Sequence, residues 1–120
     1  RIETCGNKAI ALVRYCRKGD FRASGGHNNS FSKELIPQDV LKLSFEITEK
    51  LGMQAASLDF VREKSTGKLY LVEVSYCYGP DADQFDHGYW TSDGEWHSES
   101  FNGINWMIEC AIDEYKQHRL

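Results

Sequence analysis

Leu58-Asp59-Phe60-Val61 is followed, after a polar segment that contains Gly67, by Leu71-Val72-Glu73-Val74-Ser75. β-branched and aromatic residues dominate both stretches, and such residues are typical of strands. A glycine in a polar joint is the usual means of reversing the chain between two paired strands. We therefore predict an antiparallel β-hairpin at the centre of the fold.

One face of this hairpin is expected to be acidic. Because side chains alternate along a strand, Asp59 and Val61 share one face of the first strand, and Leu71, Glu73 and Ser75 share one face of the second. These two faces can be the same side of the sheet. Two carboxylates and a hydroxyl would then converge, an arrangement that suits a hard cation with oxygen ligands. A solvated polar face with two unrelated acids explains the same spacing, because half-exposed strands often carry acids.

A second hairpin is predicted at the start of the chain. Residues 1–4 and 9–15 read as strands on either side of Cys5-Gly6-Asn7-Lys8, where Gly-Asn is a turn signal of the kind that supplies positive φ. Residues 9–13 are apolar on both faces. We therefore expect this strand to be covered on both sides of the sheet.

Two amphipathic helices are predicted. The first covers Ile36–Leu51, with Pro37 suited to the first helical position and Gly52 suited to ending the helix. Asn102 fits the N-cap of the second. Both helices are expected to pack on the core through stripes of apolar residues. The stripe of the first contains Val40, Leu41, Leu43, Ser44, Phe45, Ile47 and Leu51. The stripe of the second contains Ile104, Met107, Ile108, Ala111, Ile112 and Tyr115.

The segment from Arg14 to Ser30 carries three arginines, followed by a loop rich in serine, glycine and asparagine. Exposed backbone N–H groups in such a loop, together with arginine, bind phosphate or carboxylate oxygens. A plain surface loop with solvated arginines would have the same composition. The composition therefore leaves both interpretations open.

Residues 79–100 lack clear periodicity and are predicted to form a long loop, whose length is itself a hint of function. Asp86 and His87 could be metal ligands or an acid–base pair, although acids are common in loops. Trp90 and Trp96 are expected to pin this loop to the body of the protein.

Length and composition set outer bounds on the function. The 120 residues suit a single domain over 1–120, and the net charge of −4 comes without any cluster of Lys and Arg that would indicate nucleic-acid binding. No apolar run approaches the roughly 20 residues that a membrane helix needs, so no membrane partner is expected. The four cysteines form no Cys-x-x-Cys, which favours reduced thiols in a cytoplasmic protein. Because the chain opens inside an expected strand, we interpret it as a fragment of a longer protein.

The order of these features resembles the C-terminal lobe of the ATP-grasp ligases. That order is two strands, an Arg/Gly loop, a helix, a strand with Asp59, and a strand with Glu-x-Ser. In ATP-grasp ligases an acidic residue on one strand and Glu-x-Asn on the next hold magnesium beneath the ATP phosphates. Two segments look most like the ATP-grasp proteins of bacterial polysaccharide biosynthesis loci. They are Asp20-Phe21-Arg22-Ala23-Ser24-Gly25 and Glu73-Val74-Ser75-Tyr76. The resemblance covers about residues 1–78, and Arg1 falls where such proteins keep an arginine.

The resemblance implies an α+β fold, an antiparallel β-sheet flanked by helices, as the C-terminal portion of an ATP-grasp fold. It implies a carboxylate–amine or carboxylate–thiol ligase that uses ATP and Mg²⁺ and forms an acylphosphate. Asp59, Glu73 and Ser75 would hold the metal, and Arg14 and Arg22 would stabilise charge on the transferring phosphoryl group. The residues expected to contact the nucleotide are Ser24, Gly25, Gly26, Val61 and Leu71.

The expected partners are a nucleotide, a small-molecule carboxylate substrate and a preceding lobe of the same protein. Ser75 departs from the family pattern, because it stands where the ligases have asparagine, and a hydroxyl is the weaker ligand. The isolated chain would also carry only half of an ATP site, and we expect it to be inactive alone. A non-catalytic binding or assembly module derived from the same fold is therefore the alternative interpretation.

Overall fold

The structure is a computed structural model that describes residues 1–23, 25, 28–79 and 84–118. The chain has an α+β fold. The strands are β1 Ile2–Cys5, β2 Lys8–Ala11, β3 Val13–Arg14, β4 Asn29–Ser30, β5 Ala55–Arg62, β6 Leu69–Ser75, β7 Tyr89–Thr91 and β8 Trp96–His97. The α-helices are α1 Gln38–Lys50 and α2 Gly103–His118, and Lys33–Leu35 forms a 3₁₀ turn.

Six of these strands form one antiparallel sheet in the order β6-β5-β1-β2-β7-β8, while β3 and β4 pair separately. The central hairpin β5–β6 is confirmed, and both of its strands are longer than the sequence predicted. The hairpin β1–β2 is confirmed as well, with Gly6 at φ 57° in its turn. Its second strand is shorter than the predicted 9–15, because β2 ends at Ala11 and Val13–Arg14 pair with β4 in the separate sheet. In both hairpins the chain therefore reverses at the position predicted from the turn residues.

The two helices cover opposite faces of the sheet. Val40 and Leu41 of α1 pack in a buried cluster with Ile2, while Trp106 of α2 packs in a second cluster with Cys5. Ile2 and Cys5 are three residues apart on one strand, so their side chains lie on opposite faces. The predicted antiparallel sheet flanked by helices is therefore confirmed. Among the described residues, no helix combines the length and apolar character needed to cross a membrane.

The bounds of the helices follow local chemistry. Pro37 precedes the first helical residue of α1 and is its N-cap, so α1 begins slightly later than predicted. Gly52, at φ 62°, follows the C-cap and ends the helix as predicted. Asn102 caps α2 as predicted, because its side-chain oxygen accepts hydrogen bonds from the backbone N–H groups of Ile104 and Asn105, both at 3.1 Å.

Most of the predicted stripe of α1 is confirmed, because Val40, Leu41 and Ser44 are buried. Thr48 is buried in addition, whereas Leu43 and Leu51 are exposed. The buried hydroxyls remain satisfied inside the helix, because Ser44 donates a hydrogen bond to the carbonyl oxygen of Val40 at 2.8 Å and Thr48 donates to that of Ser44 at 3.1 Å. Internal hydrogen bonds of this kind make small polar residues compatible with the core, and hydropathy alone does not reveal them.

The predicted packing stripe of α2 is wrong in most of its positions. The helix meets the sheet through Trp106, Met107 and Cys110. Ala111 and four large members of the stripe are exposed instead; these four are Ile104, Ile108, Ile112 and Tyr115. Helical spacing identified an apolar face, but the anchoring aromatic at Trp106 turns that face away from the sheet.

Residues 84–100 are more ordered than the predicted loop. β7 and β8 extend the sheet, with Trp90 buried and Trp96 packed against the same cluster, so the prediction that these tryptophans pin the segment is confirmed. His87 stacks on Phe31 with ring centroids 4.1 Å apart. Strands of two or three residues are too short to show a periodicity of two, which explains why the sequence did not predict them.

Candidate functional site

The register of the central hairpin brings two carboxylates together. Asp59 lies directly opposite Glu73, and Ser57 lies opposite Ser75 two positions away, so these four side chains share one face of the sheet. The predicted convergence of Asp59, Glu73 and Ser75 on one face is therefore confirmed. Directly opposed like charges destabilise a strand pair. We therefore expect cationic side chains near Asp59 and Glu73.

A bulge changes the remainder of this face. The pairing shifts after Asp59, so that Phe60 lies opposite Leu71 and Val61 lies opposite Tyr70, leaving Val72 as the extra residue. Leu71 therefore belongs to the face of Phe60, and the prediction that it shares a face with Val61 is wrong. Regular alternation cannot anticipate an inserted residue.

Arg1 holds Asp59 through a two-pronged contact. Its Nε donates to Oδ1 of Asp59 at 2.8 Å and its Nη2 donates to Oδ2 at 2.9 Å. Nη1 of Arg14 lies 3.8 Å from the same Oδ2, and Nη1 of Arg1 lies 3.8 Å from Oε1 of the buried Glu3. A paired fork of this kind fixes orientation as well as charge. Two arginines thus compensate the acidic face.

Burial and the arginines act in opposite directions on Asp59. Burial alone would raise the pKa of its carboxyl, but hydrogen bonds and charge from Arg1, with a smaller contribution from Arg14, hold that pKa below the usual value. The hydrogen bond to Asp59 likewise raises the pKa of the Arg1 guanidinium against the opposing effect of burial. Asp59 therefore remains an anion in a partly desolvated setting, as a carboxylate ligand of a metal ion requires.

These groups line a cleft of about 560 Å³, within the size range of small-molecule sites. The cleft borders the end of β5 that extends beyond β1. Its polar lining includes Arg1, Arg14, Asp59, Arg62 and Glu73. Its apolar lining includes Leu12, Phe21, Val61, Leu69 and Val72. Polar groups therefore converge at one place in a mostly apolar concavity.

The Arg/Gly loop reaches this cleft only in part. Arg22 is not among the lining residues; its side chain is 66% exposed and pairs with Asp20, with Nη2 to Oδ2 at 2.8 Å. Gly25 has φ 72° and also lies outside the lining. Ser24 and Gly26 fall outside the described residues. Arg22 therefore forms a surface ion pair with Asp20 and lies outside the cleft lining.

Two hydroxyls extend the acidic face. Ser75 donates to the carbonyl oxygen of Cys77 at 2.9 Å, which leaves the lone pairs of its own oxygen free to accept. Ser57 is buried, and its hydroxyl has no hydrogen-bond partner within the described part of the chain. An unsatisfied buried hydroxyl costs free energy, so its position beside Ser75 suits a site that a ligand or water completes.

Sequence reasoning left Arg1 out of the candidate site residues. Only the register reveals its role, because pairing of Ile2 with Leu58 places Arg1 beside Asp59. The available signal was the resemblance, which put an arginine at this position. A contact between residues 58 positions apart could not be read from local spacing.

The donor chemistry fits magnesium held jointly with phosphate. Within residues 1–23, 25, 28–79 and 84–118, no group of three or more His, Cys, Asp or Glu side chains could hold a metal ion. Magnesium, however, is usually bound through one or two carboxylates together with water and substrate phosphates. Asp59 and Glu73 supply that number of carboxylates, and Nη1 of Arg14 lies 3.8 Å from Oδ2 of Asp59.

Comparisons with models of protein families, with curated proteins and with solved structures give no match to this chain.

Proposed function

We propose that this chain is the C-terminal part of an ATP-grasp carboxylate–amine or carboxylate–thiol ligase. The observation that carries the proposal is the pair Asp59 and Glu73, directly opposed on one face, with Arg1 and Arg14 compensating Asp59 at the mouth of a cleft. A ligase that consumes ATP would act in the cytoplasm, which is the location we propose.

Each residue of the site has a definite task in this proposal. Asp59 and Glu73 would hold Mg²⁺, with Ser75 assisting directly or through water; the metal when bound neutralises phosphate charge. Arg1 orients the carboxylate of Asp59 and keeps it ionised. Arg14, which lies near the same carboxylate, is the arginine best placed to stabilise a phosphoryl group and an acylphosphate. Positioning and charge compensation supply most of the catalysis in such reactions.

The apolar lining has a separate task. Val61 and Val72 line the cleft beside the carboxylates, and they would contact the nucleotide and exclude water. Exclusion of water strengthens the electrostatic interactions inside the cleft and protects an acylphosphate from hydrolysis. Val72 would make the nucleotide contact that the resemblance implied for Leu71, because the bulge moves Leu71 to the other face.

The test is turnover in a protein that joins this chain to a nucleotide-binding lobe. Asp59→Asn and Glu73→Gln should each abolish ligase activity while the protein stays folded, since an amide keeps the volume and removes the charge that magnesium needs. Glu46→Gln is a matched control, because Glu46 is an exposed carboxylate on α1. Near-normal turnover in both site variants would contradict the proposal.

The second candidate is a non-catalytic binding or assembly module. Two observations favour it: both oxygens of Asp59 are engaged by Arg1, and the edge strand β6 exposes Tyr70, Val72 and Val74. Exposed apolar edges are typical of surfaces that associate. If the joined protein assembles normally but shows no dependence on ATP, this second function replaces the first.

A further inference from the structure

Two cysteines from distant parts of the chain meet beneath α2. Sγ of Cys5, on β1, lies 3.6 Å from Sγ of Cys110, on α2, although 105 positions separate them in the sequence. Both are free thiols. The side chains therefore already face each other, and only a small approach of the sulfur atoms is needed for a bond, whose length is about 2 Å.

The surroundings restrict Cys110 to this position. A Cβ placed on Gly6 would lie 2.9 Å from Sγ of Cys110, so the thiol rests directly on the backbone of the β1–β2 turn. Gly6 also has φ 57°, a conformation that favours glycine. Cys5 is buried in the cluster around Trp106, whereas Cys110 is only partly buried. One thiol of the pair is thus accessible to a reagent and the other is not.

We propose that Cys5 and Cys110 form a reversible disulfide that clamps α2 onto β1 under oxidising conditions. The disulfide would form where the contact between α2 and the sheet ends. Cys110 is the last residue of α2 that is not exposed, and residues 111–118 are all exposed. Towards the N-terminal end, Trp106 already anchors the helix by stacking on Phe101, with ring centroids 4.3 Å apart. The disulfide would add a covalent anchor at the point where contact with the sheet ends.

The chemistry needs an oxidant, and a low-molecular-weight disulfide such as oxidised glutathione supplies it. The thiolate of Cys110 attacks one sulfur of that disulfide, forming a mixed disulfide and releasing one reduced thiol. Cys5 then loses its proton and attacks Sγ of Cys110, which closes the protein disulfide and releases the second reduced thiol. The two cysteines are oxidised by two electrons, and the small disulfide is reduced by the same two.

The order of these steps follows from access. Burial, reinforced by the hydrogen bond with Cys110, raises the pKa of the Cys5 thiol, so Cys5 is a poor first nucleophile. Once Cys110 carries the mixed disulfide, its sulfur lies next to Cys5 and the second step is intramolecular. Cys5 is therefore the resolving thiol.

The experiment uses the full chain carrying Cys16→Ser and Cys77→Ser, which removes the two exposed thiols and leaves only the proposed pair. After treatment with oxidised glutathione, we expect the intact mass to fall by two hydrogen atoms. The melting temperature should rise by more than about 5 °C, because cross-links that close long loops stabilise most. Dithiothreitol should reverse both changes.

Adding Cys110→Ser to this chain gives the matched control, which should keep its mass and melting temperature under the same treatment. Peptide mapping of the oxidised wild-type chain provides an independent measurement if the substituted chain folds poorly, and a Cys5–Cys110 peptide is expected. A stable glutathione adduct on Cys110, a pairing that involves Cys16 or Cys77, or two free thiols after treatment would each overturn the proposal.

Discussion

Within the part of the chain that the structure describes, two arginine–aspartate forks have similar geometry and different surroundings. Arg1 and Asp59 meet at 2.8 and 2.9 Å, and Arg22 and Asp20 meet at 2.8 to 3.1 Å. The two carboxylates are almost equally exposed, at 20% and 21% of the side chain, but the arginines differ, at 20% for Arg1 and 66% for Arg22. The forks also join residues 58 and 2 positions apart.

Because the two forks have similar distances but different burial, hydrogen-bond geometry alone does not determine the role of an ion pair. Burial is the largest influence on the pKa of Asp59 and opposes its ionisation, whereas the hydrogen bond with Arg22 is the largest influence on the pKa of Asp20. The first fork therefore holds a charge in a partly desolvated cleft and ties β1 to β5. The second fork shapes only its own loop.

Removing the ion pair between Arg1 and Asp59 is expected to reduce stability most. Asp59→Ala should lower the free energy of unfolding by about 2 kcal/mol, because it leaves the half-buried guanidinium of Arg1 without its main partner. Urea unfolding followed by circular dichroism measures this change. Asp20→Ala is the matched control and should have no resolvable effect, since Arg22 is then solvated by water. Equal losses in the two variants would remove the distinction between the forks.

Lowering the pH is expected to have a smaller effect on the free energy of unfolding. The folded pKa of Asp59 lies below its unfolded value, so its stabilising contribution is fully present above the ordinary aspartate pKa of about 3.9 and disappears as pH falls through the lower folded value. The difference in unfolding free energy between wild type and Asp59→Asn should therefore shrink as the pH is lowered below about 4. Unfolding curves of both proteins over this range test the sign. A difference that grows with acidity would contradict it.

The smallest expected effect concerns the second fork. Arg22→Lys should leave the melting temperature unchanged, and turnover of the joined protein should also be unchanged, since Arg22 lies outside the cleft lining. Arg14→Lys is the sharper comparison, because a lysine keeps the charge without the planar fork and should lower turnover. If Arg22→Lys lowers turnover as much as Arg22→Ala, the loop closes on the substrate and the original assignment of Arg22 stands.

The two hairpins, the two helices and the acidic face could be predicted from the sequence because their signals are local. Turn glycines located both hairpins, and alternation along the strands placed Asp59 and Glu73 on one face. The predictions failed where a long-range contact decided the outcome. The bulge at Val72 moved Leu71 to the other face, and the anchoring of α2 by Trp106 turned its apolar stripe away from the sheet.

Local spacing could not predict the partner of Arg1, and residue type alone could not predict whether Arg22 is free to bind an anion. Arg1 lies beside Asp59 only because of strand register, so no spacing rule could find it. Arg22 has the residue type expected of a phosphate contact, yet Asp20, two positions away, satisfies it first. Composition identifies groups that can bind an anion, and the folded structure decides which of them are available.

The proposed metal and phosphate site at Asp59 and Glu73 can be tested directly on this chain. The test adds Mn²⁺ with ATP to the isotopically labelled chain and records paramagnetic broadening of its amide resonances, a method that detects binding as weak as roughly millimolar. We predict broadening centred on Asp59, Glu73 and Ser75 that is lost in the Asp59→Asn, Glu73→Gln chain. Broadening centred elsewhere, or undiminished in that chain, would show that these residues do not form the site.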